Sequence, residues 1–389
     1  MSNSYMITNR QDVTGTSPDN TLPLPSGELW FYLSTDGPHD TNVADYQLTA
    51  DAKGQASVSP PADFLAALQA DLDATITNNS AQLVIFIHGL ANSFASGIND
   101  TGTLGAGLAQ ADFGGLVIGF SWPSYGLFDS VVDYEGVRQN INDSLENFAS
   151  LLSLVQTLRA GLAGGVALNV SLVCHSEGNY MLMQGLNYLS GHPLSTWQNI
   201  NHVLMLAADI NDAALQVPGE QNVGTGAAIA GLSDQVTIYY SNTDPELALS
   251  TVTFIDYHNP DYPGRLGLEG PYSFEENALE TNTYGVDCDW VVNPANLLWL
   301  KAKGLVPWEV LEHSSYIYIP QVLTDMTQTL NGTAPCDVVN RTSLGAPDNQ
   351  SYEMQVDDQG SVEFQATVRA KNATLLPSPR GASRAGTGG

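Results

Sequence analysis

The segment LVCHSEGNYML at residues 172–182 carries the sharpest chemical signal in the chain. An apolar run ends at Cys174, and a helical pattern starts just past Ser176. A tight turn of small residues between a buried strand and a helix lifts a serine hydroxyl clear of a sheet, where it can attack a carbonyl carbon. The pattern of such an elbow is G-x-S-x-G. Gly178 holds the position two after the serine. Cys174 stands two before it, where a small side chain is needed because strand and helix pass close together. The bland reading of the same string is an ordinary turn with a helix-capping serine.

A serine nucleophile needs a base, an acid to orient that base, and two fixed donors for the developing oxyanion. The string IFIHGLANSF at 85–94 follows another apolar run and offers one donor, the backbone N–H of Leu90; Glu177, next to the serine, offers the other. His88 and His175 read as structural residues beside these turns. The acid and the base should follow the serine in that order. Asp244 lies just past the run QVTIYYS, while Asp209 and Asp212 follow the preceding run; Asp244 is favoured and the other two stay open. Downstream of Asp244 only His258 and His313 remain as bases. His313 precedes the final helical pattern, where the base belongs. His258, with Tyr257, falls in an aromatic-rich loop that could line a substrate pocket, and Trp122 at the end of a strand could do the same.

The elements that must hold these residues alternate. Residues 4–10, 29–34, 82–87, 115–120, 168–174, 202–207 and 235–241 read as strands, the later ones continuous and apolar, as in strands buried on both faces. Helical spacing covers 62–76, about 134–160, 178–190 and about 315–330. Buried strands alternating with helices mean a doubly wound, mostly parallel α/β sheet. The stretch 245–312 is irregular, with a strand near 284–292, and could partly cover the site. The segment 352–369 alternates around Asp-Gln-Gly and reads as a β-hairpin. The division expected is a catalytic domain over 1–330 and an extension over 331–389 that ends in a disordered tail.

Eight strings occur in one order: ITNR, FIHGLANSF, IGFSWPSYG, CHSEGN, LAADIND, SNTDPELALS, RLG and EHSSY. This set resembles a bacterial branch of the α/β-hydrolase superfamily long catalogued as a domain of unknown function. The resemblance spans roughly residues 5–330. It implies the α/β-hydrolase fold and serine esterase chemistry, with Ser176, Asp244 and His313 as nucleophile, acid and base. It also favours Asp244 over Asp209, because an aspartate followed shortly by Ala-Leu matches the branch. Cys174 and the C-terminal extension depart from the common pattern.

Composition narrows the partners. Twelve Lys+Arg against 41 Asp+Glu give a formal charge of −29 over 389 residues, a surface that repels phosphates and anionic lipid headgroups. Nucleic acid and membrane partners are therefore not expected, and a small-molecule ester is. No Walker or dinucleotide-binding glycine pattern follows a strand, and no carboxylate or Cys/His cluster has metal-ligand spacing, so no cofactor and no metal are expected. The three cysteines lack a CxxC pair, although a Cys288–Cys336 bridge is allowed. No secretory leader and no ~20-residue apolar run is visible, which points to the cytoplasm.

Overall fold

A computed structural model describes residues 3–11, 22–25, 27–48, 51, 55–124, 131–191, 200–216, 226–253, 264–271, 279–344 and 350–354. Its strands are β1 (Ser4–Thr8), β2 (Trp30–Ser34), β3 (Gln47–Leu48), β4 (Ser80–Ile87), β5 (Leu116–Ser121), β6 (Ala167–His175), β7 (Ile200–Leu206), β8 (Ser233–Tyr240), β9 (Thr283–Asp287), β10 (Arg341–Ser343) and β11 (Ser351–Met354). They form one sheet in the order β10-β11-β9-β8-β7-β6-β4-β5-β1-β2-β3. Every neighbouring pair from β1 to β11 along that order is parallel. Antiparallel pairs close the two ends, β1–β2–β3 on one side and β11–β10 on the other.

The helices are α1 (Ala62–Ala74), α2 (Phe94–Gln110), α3 (Val131–Asp143), α4 (Leu145–Gly161), α5 (Gly178–Ser190), α6 (Ala227–Gly231), α7 (Pro245–Thr253), α8 (Leu266–Glu269), α9 (Asp289–Val292), α10 (Pro294–Ala302) and α11 (Pro320–Leu330). They cover both faces, which is why β4 and β5 are apolar at nearly every position rather than at alternate ones. Leu83, Ile85 and Ile87 of β4 pack with residues of α1, α4 and α5. Val84 and Phe86 face the other way, toward α2, α10 and α11.

Local chemistry changes three of the sequence expectations. The long helix over 134–160 is two helices, α3 and α4, separated at Ser144, whose φ of −96° and ψ of 1° leave the helical range. Its hydroxyl donates to Asn140 O at 2.6 Å and accepts from Asn9 Nδ2 at 2.7 Å, an alternative to regular helix bonding. The helix α2 has no counterpart in the expected pattern. The strand near 284–292 ends at Asp287 and gives way to α9. An antiparallel pair lies near the C-terminus, Arg341–Ser343 with Ser351–Met354, which also joins β9; most of the hairpin expected at 352–369 lies outside the described residues. Residues 355–389 lie outside the described residues. Cys174, Cys288 and Cys336 are free thiols, the first two buried and the third exposed. No helix among the described residues is long and apolar enough to cross a membrane.

Candidate active site

Ser176 sits at the C-terminal end of β6, immediately before α5, with φ of +52°. That left-handed conformation costs a non-glycine residue roughly 1–3 kcal/mol and persists only where the surroundings enforce it. Here they do. Ser176 N donates to Leu206 O at 2.9 Å, and Ser176 O accepts from Asp209 N at 3.2 Å. The Asn179 side-chain amide donates to three carbonyls around the turn, those of Cys174, Ser176 and Leu206. Gly178 is sterically required: a Cβ there would lie 2.7 Å from His88 O. Gly89 is required as well, because its Cβ would come within 2.7 Å of Ser176 Cβ. Cys174 is fully buried beneath the turn, where its small side chain fits.

Asp244 and His313, the residues expected as acid and base, meet beside the cavity that Ser176 lines. His313 Nδ1 and Asp244 Oδ2 are 2.8 Å apart, with Asp244 buried at the start of α7. Burial alone would lower the His313 pKa; the charge and hydrogen bond of Asp244 outweigh it and raise the imidazole above its ordinary value. Of the two other acids, Asp209 is buried against Arg265 at 3.0 Å and Ser250 at 2.8 Å. Asp212 takes part in a separate carboxyl environment in which burial and Glu269 push it up to about 7. Among the described residues no hydrogen bond joins either of them to His313, and none joins Ser176 Oγ to the His313 ring. Catalytic hydrogen bonds are often long or misaligned before substrate enters.

The loop after β4 lies on the opposite side of Ser176. His88 is buried, its Nδ1 lies 2.9 Å from Gly89 O, and Trp122 Nε1 donates to His88 O at 2.8 Å. Ala91 adopts φ of +58° and donates its N–H to Ser124 O at 2.8 Å. The backbone N–H groups of Leu90 and Glu177 donate to no acceptor among the described residues. In so densely bonded a neighbourhood, two uncommitted amides flanking one serine are notable, since buried amides are nearly always paired.

A family model described as alpha/beta hydrolase of unknown function (DUF900) matches residues 65–259, half of the chain. The chain belongs to this family. The match takes in Ser176 and Asp244 and stops before His313. No curated protein sequence matches this hydrolase. Solved structures also match it, at low identity and low TM-score. One, described with LipS and LipT as metagenome-derived lipolytic enzymes, is 12% identical, with 42% of this chain and 74% of that one covered and a TM-score of 0.24. Phospholipase PlaB from Legionella pneumophila is 15% identical, with 52% and 44% covered and a TM-score of 0.25; its complex with thio-NAD is 19% identical, with 54% and 38% covered and a TM-score of 0.23. The hydrolase thus spans under half the length of that phospholipase.

Ser176 and His313 of this hydrolase open into one cavity of about 690 Å³. Leu90 lines it near the elbow, while the helix α7 and residues 309–311 of the long excursion supply much of its wall. The excursion therefore does cover part of the site. Trp122 does not line the cavity. It is fully buried and stacked at 5.8 Å on His88, beneath the loop rather than in the pocket. Tyr257 and His258 lie outside the described residues.

Two features of the site were not foreseen. His175, also on the cavity wall, has its Nε2 2.9 Å from His313 O and its ring 4.8 Å from the His313 ring. Burial, then the charge of His313, push it down to about 3, so its neutral ring donates to that carbonyl and fixes the backbone that carries His313. The other is Glu246 of α7: with Asp244 and His313 it brings ligand atoms within 4.8 Å of one another, a grouping that could contact a cation. The ring nitrogen of His313 facing these carboxylates is already engaged by Asp244.

Proposed function

We propose that this protein is a serine hydrolase of neutral carboxylic esters, with Ser176 as nucleophile, His313 as general base and Asp244 as the acid that orients the base. Ser176 Oγ attacks the ester carbonyl while its proton passes to His313 Nε2. The carbonyl electron pair becomes an oxyanion, received by the free N–H groups of Leu90 and Glu177. Collapse breaks the bond to the alcohol, which takes the proton from His313. Water then repeats the sequence on the acyl-serine and releases the acid. Asp244 keeps the ring proton on Nδ1 and stabilises the imidazolium that forms in each half.

The observation that carries this reading is the convergence on one cavity of Ser176, held in a left-handed turn, and His313, bonded to Asp244. The charge around the cavity supports neutral substrates. Its described lining holds the carboxylates Asp100, Asp209, Glu246 and Glu309 and neither Lys nor Arg. Arg138 and Arg265 nearby are engaged by Glu177 and Asp209. Leu249 and Leu311 line the cavity while remaining more than half exposed, at 58% and 55%. Apolar side chains in that position favour acyl chains longer than acetyl, and a chain-length series would resolve esterase from lipase preference. A small ester partner is proposed, with no nucleic acid and no membrane.

The test is Ser176→Ala with p-nitrophenyl esters and a fluorophosphonate probe. The wild type should turn over the ester and label covalently. The variant, with unchanged thermal unfolding, should lose both. A folded Ser176→Ala protein that retains activity would remove the assignment.

A further inference from the structure

Among the described residues four arginines pack, buried or partly buried, around the sheet, and three of them face a carboxylate: Arg138 with Glu177, Arg265 with Asp209 and Arg341 with Asp325. The fourth, Arg10, sits just past β1 and is 1% exposed, with no carboxylate against it among the described residues. A buried guanidinium without a counter-ion is costly, so its contacts call for an account. Arg10 Nε donates to Ser121 Oγ at 2.9 Å, and its Nη2 donates to Asn92 O at 2.6 Å. Ser121 Oγ lies 3.0 Å from His88 Nε2. His88 Nδ1 lies 2.9 Å from Gly89 O.

The direction of every proton in this chain is forced. A guanidinium can only donate, and a carbonyl can only accept. Ser121 therefore accepts from Arg10, and because Gly89 O can only accept, the neutral His88 ring takes a hydrogen at Nε2 from Ser121, with Arg10 Nη2 a further donor 3.5 Å from the same nitrogen. The His88 ring proton is then on Nδ1, where it donates to Gly89 O. The last acceptor is the informative one. Gly89 C=O and Leu90 N–H belong to one peptide unit, and in a trans peptide the two point in opposite directions. Holding the oxygen against His88 turns the Leu90 N–H away from that ring, and among the described residues it donates to no acceptor.

We infer that Arg10 is a positioning residue: through Ser121 and His88 it sets the direction of the Gly89–Leu90 peptide, and so aims the Leu90 amide that receives the oxyanion. This rests on the hydrolase reading above. Arg10 also clamps the far end of the same loop at Asn92 O, so both ends of the donor segment answer to one side chain. Because no carboxylate among the described residues pairs with it, its charge favours negative charge developing near the loop. Burial lowers Arg10 only to about 9, so it stays a cation at neutral pH.

The experiment compares the wild type with Arg10→Met and Ser121→Ala. The second variant removes the hydroxyl between Arg10 and His88 and keeps the guanidinium, whose Nη2 lies 3.5 Å from His88 Nε2, which protects the test if Arg10→Met fails to fold. Losing an oxyanion donor outright lowers kcat about 10²–10³-fold, so a misaimed one should lower it roughly 10–100-fold, with KM changed less than about threefold. Nitrogen-correlated NMR of His88 gives a second readout that needs no turnover. The wild type should show the Nδ1–H tautomer, and both variants should lose it or mix it with Nε2–H. Unchanged kcat in folded variants, or an unchanged Nδ1–H tautomer, overturns the inference. A wild type that neither cleaves esters nor labels with fluorophosphonate overturns the hydrolase reading instead, and the tautomer then decides the role of Arg10 alone.

Discussion

Ser176 stands between two walls built on different principles. On the side of β7, acids and bases cancel in a closed buried network. Arg138 Nε meets Glu177 Oε1 at 2.7 Å, Arg265 meets Asp209, and the Tyr134 hydroxyl lies 3.0 Å from Glu177 and 3.1 Å from Asp209. On the side of β4, the contacts are neutral donors in series behind one guanidinium that has no acid opposite it. The first arrangement holds backbone in place and leaves little net field. The second holds backbone in place and leaves both a free amide and an uncancelled positive charge. A site that must stabilise an anion for an instant needs the second kind of wall on only one side.

This contrast can be broken by exchanging the two acids nearest the site. Asp244→Asn should lower kcat on the order of 10⁴-fold, because the amide no longer selects the right ring tautomer or stabilises the imidazolium, while thermal unfolding moves little. Asp209→Asn should do the reverse. Removing one partner of a buried ion pair leaves the other charge uncompensated and should cost roughly 3 kcal/mol in chemical denaturation, with kcat of the folded fraction within about tenfold of wild type. If Asp209→Asn were the dead variant and Asp244→Asn the active one, Asp209 and not Asp244 would be the acid that orients the base.

A smaller effect concerns pH. As the proposed base, His313 must be neutral to take the serine proton, and Asp244 holds it above the ordinary histidine value. Activity should therefore fall as pH drops through a midpoint above about 6.5. Removing the Asp244 charge should shift that limb to lower pH in whatever activity remains. A limb unmoved by Asp244→Asn would mean that another group titrates. Smaller still is the response to substrate charge. An ester bearing a carboxylate on its acyl chain should be a poorer substrate than its neutral isostere by roughly tenfold in kcat/KM at low salt, and the gap should narrow as salt rises.

Much of this was legible in the chain because it is local. A strand, a serine turn and a helix lie within eleven residues at 172–182, and Asp244 follows its strand directly. The residues that escaped do their work across the fold. The string ITNR reads as the end of a strand, and nothing in it points to a serine 111 residues away. Trp122 looked like a pocket residue because it ends a strand on the ligand side, yet its indole packs under the loop. The helix α2 escaped for a related reason. Its glycines weaken helical propensity, and each is there for a neighbour. A Cβ at Gly97 would come within 2.9 Å of His88, and one at Gly102 within 2.7 Å of Thr41; Gly105 and Gly107 are closed in by His39 and Leu323. Propensity counts what a residue does to its own helix, whereas these positions are set by what the helix lies against.

The place of β1 in the sheet has a kinetic consequence. It lies between β5 and β2, so its pairing with β5 closes a loop of more than a hundred residues. Contacts this distant in sequence form late, because the chain entropy of closing the loop is lost before they give any return. Ser176 and the strands β4, β6, β7 and β8 around it, whose pairings close shorter loops, can therefore be assembled while the Leu90 amide still lacks its direction. In refolding, native helix content should return first and ester turnover last, with the rate of that last step set by the docking of residues 4–10 beside β5.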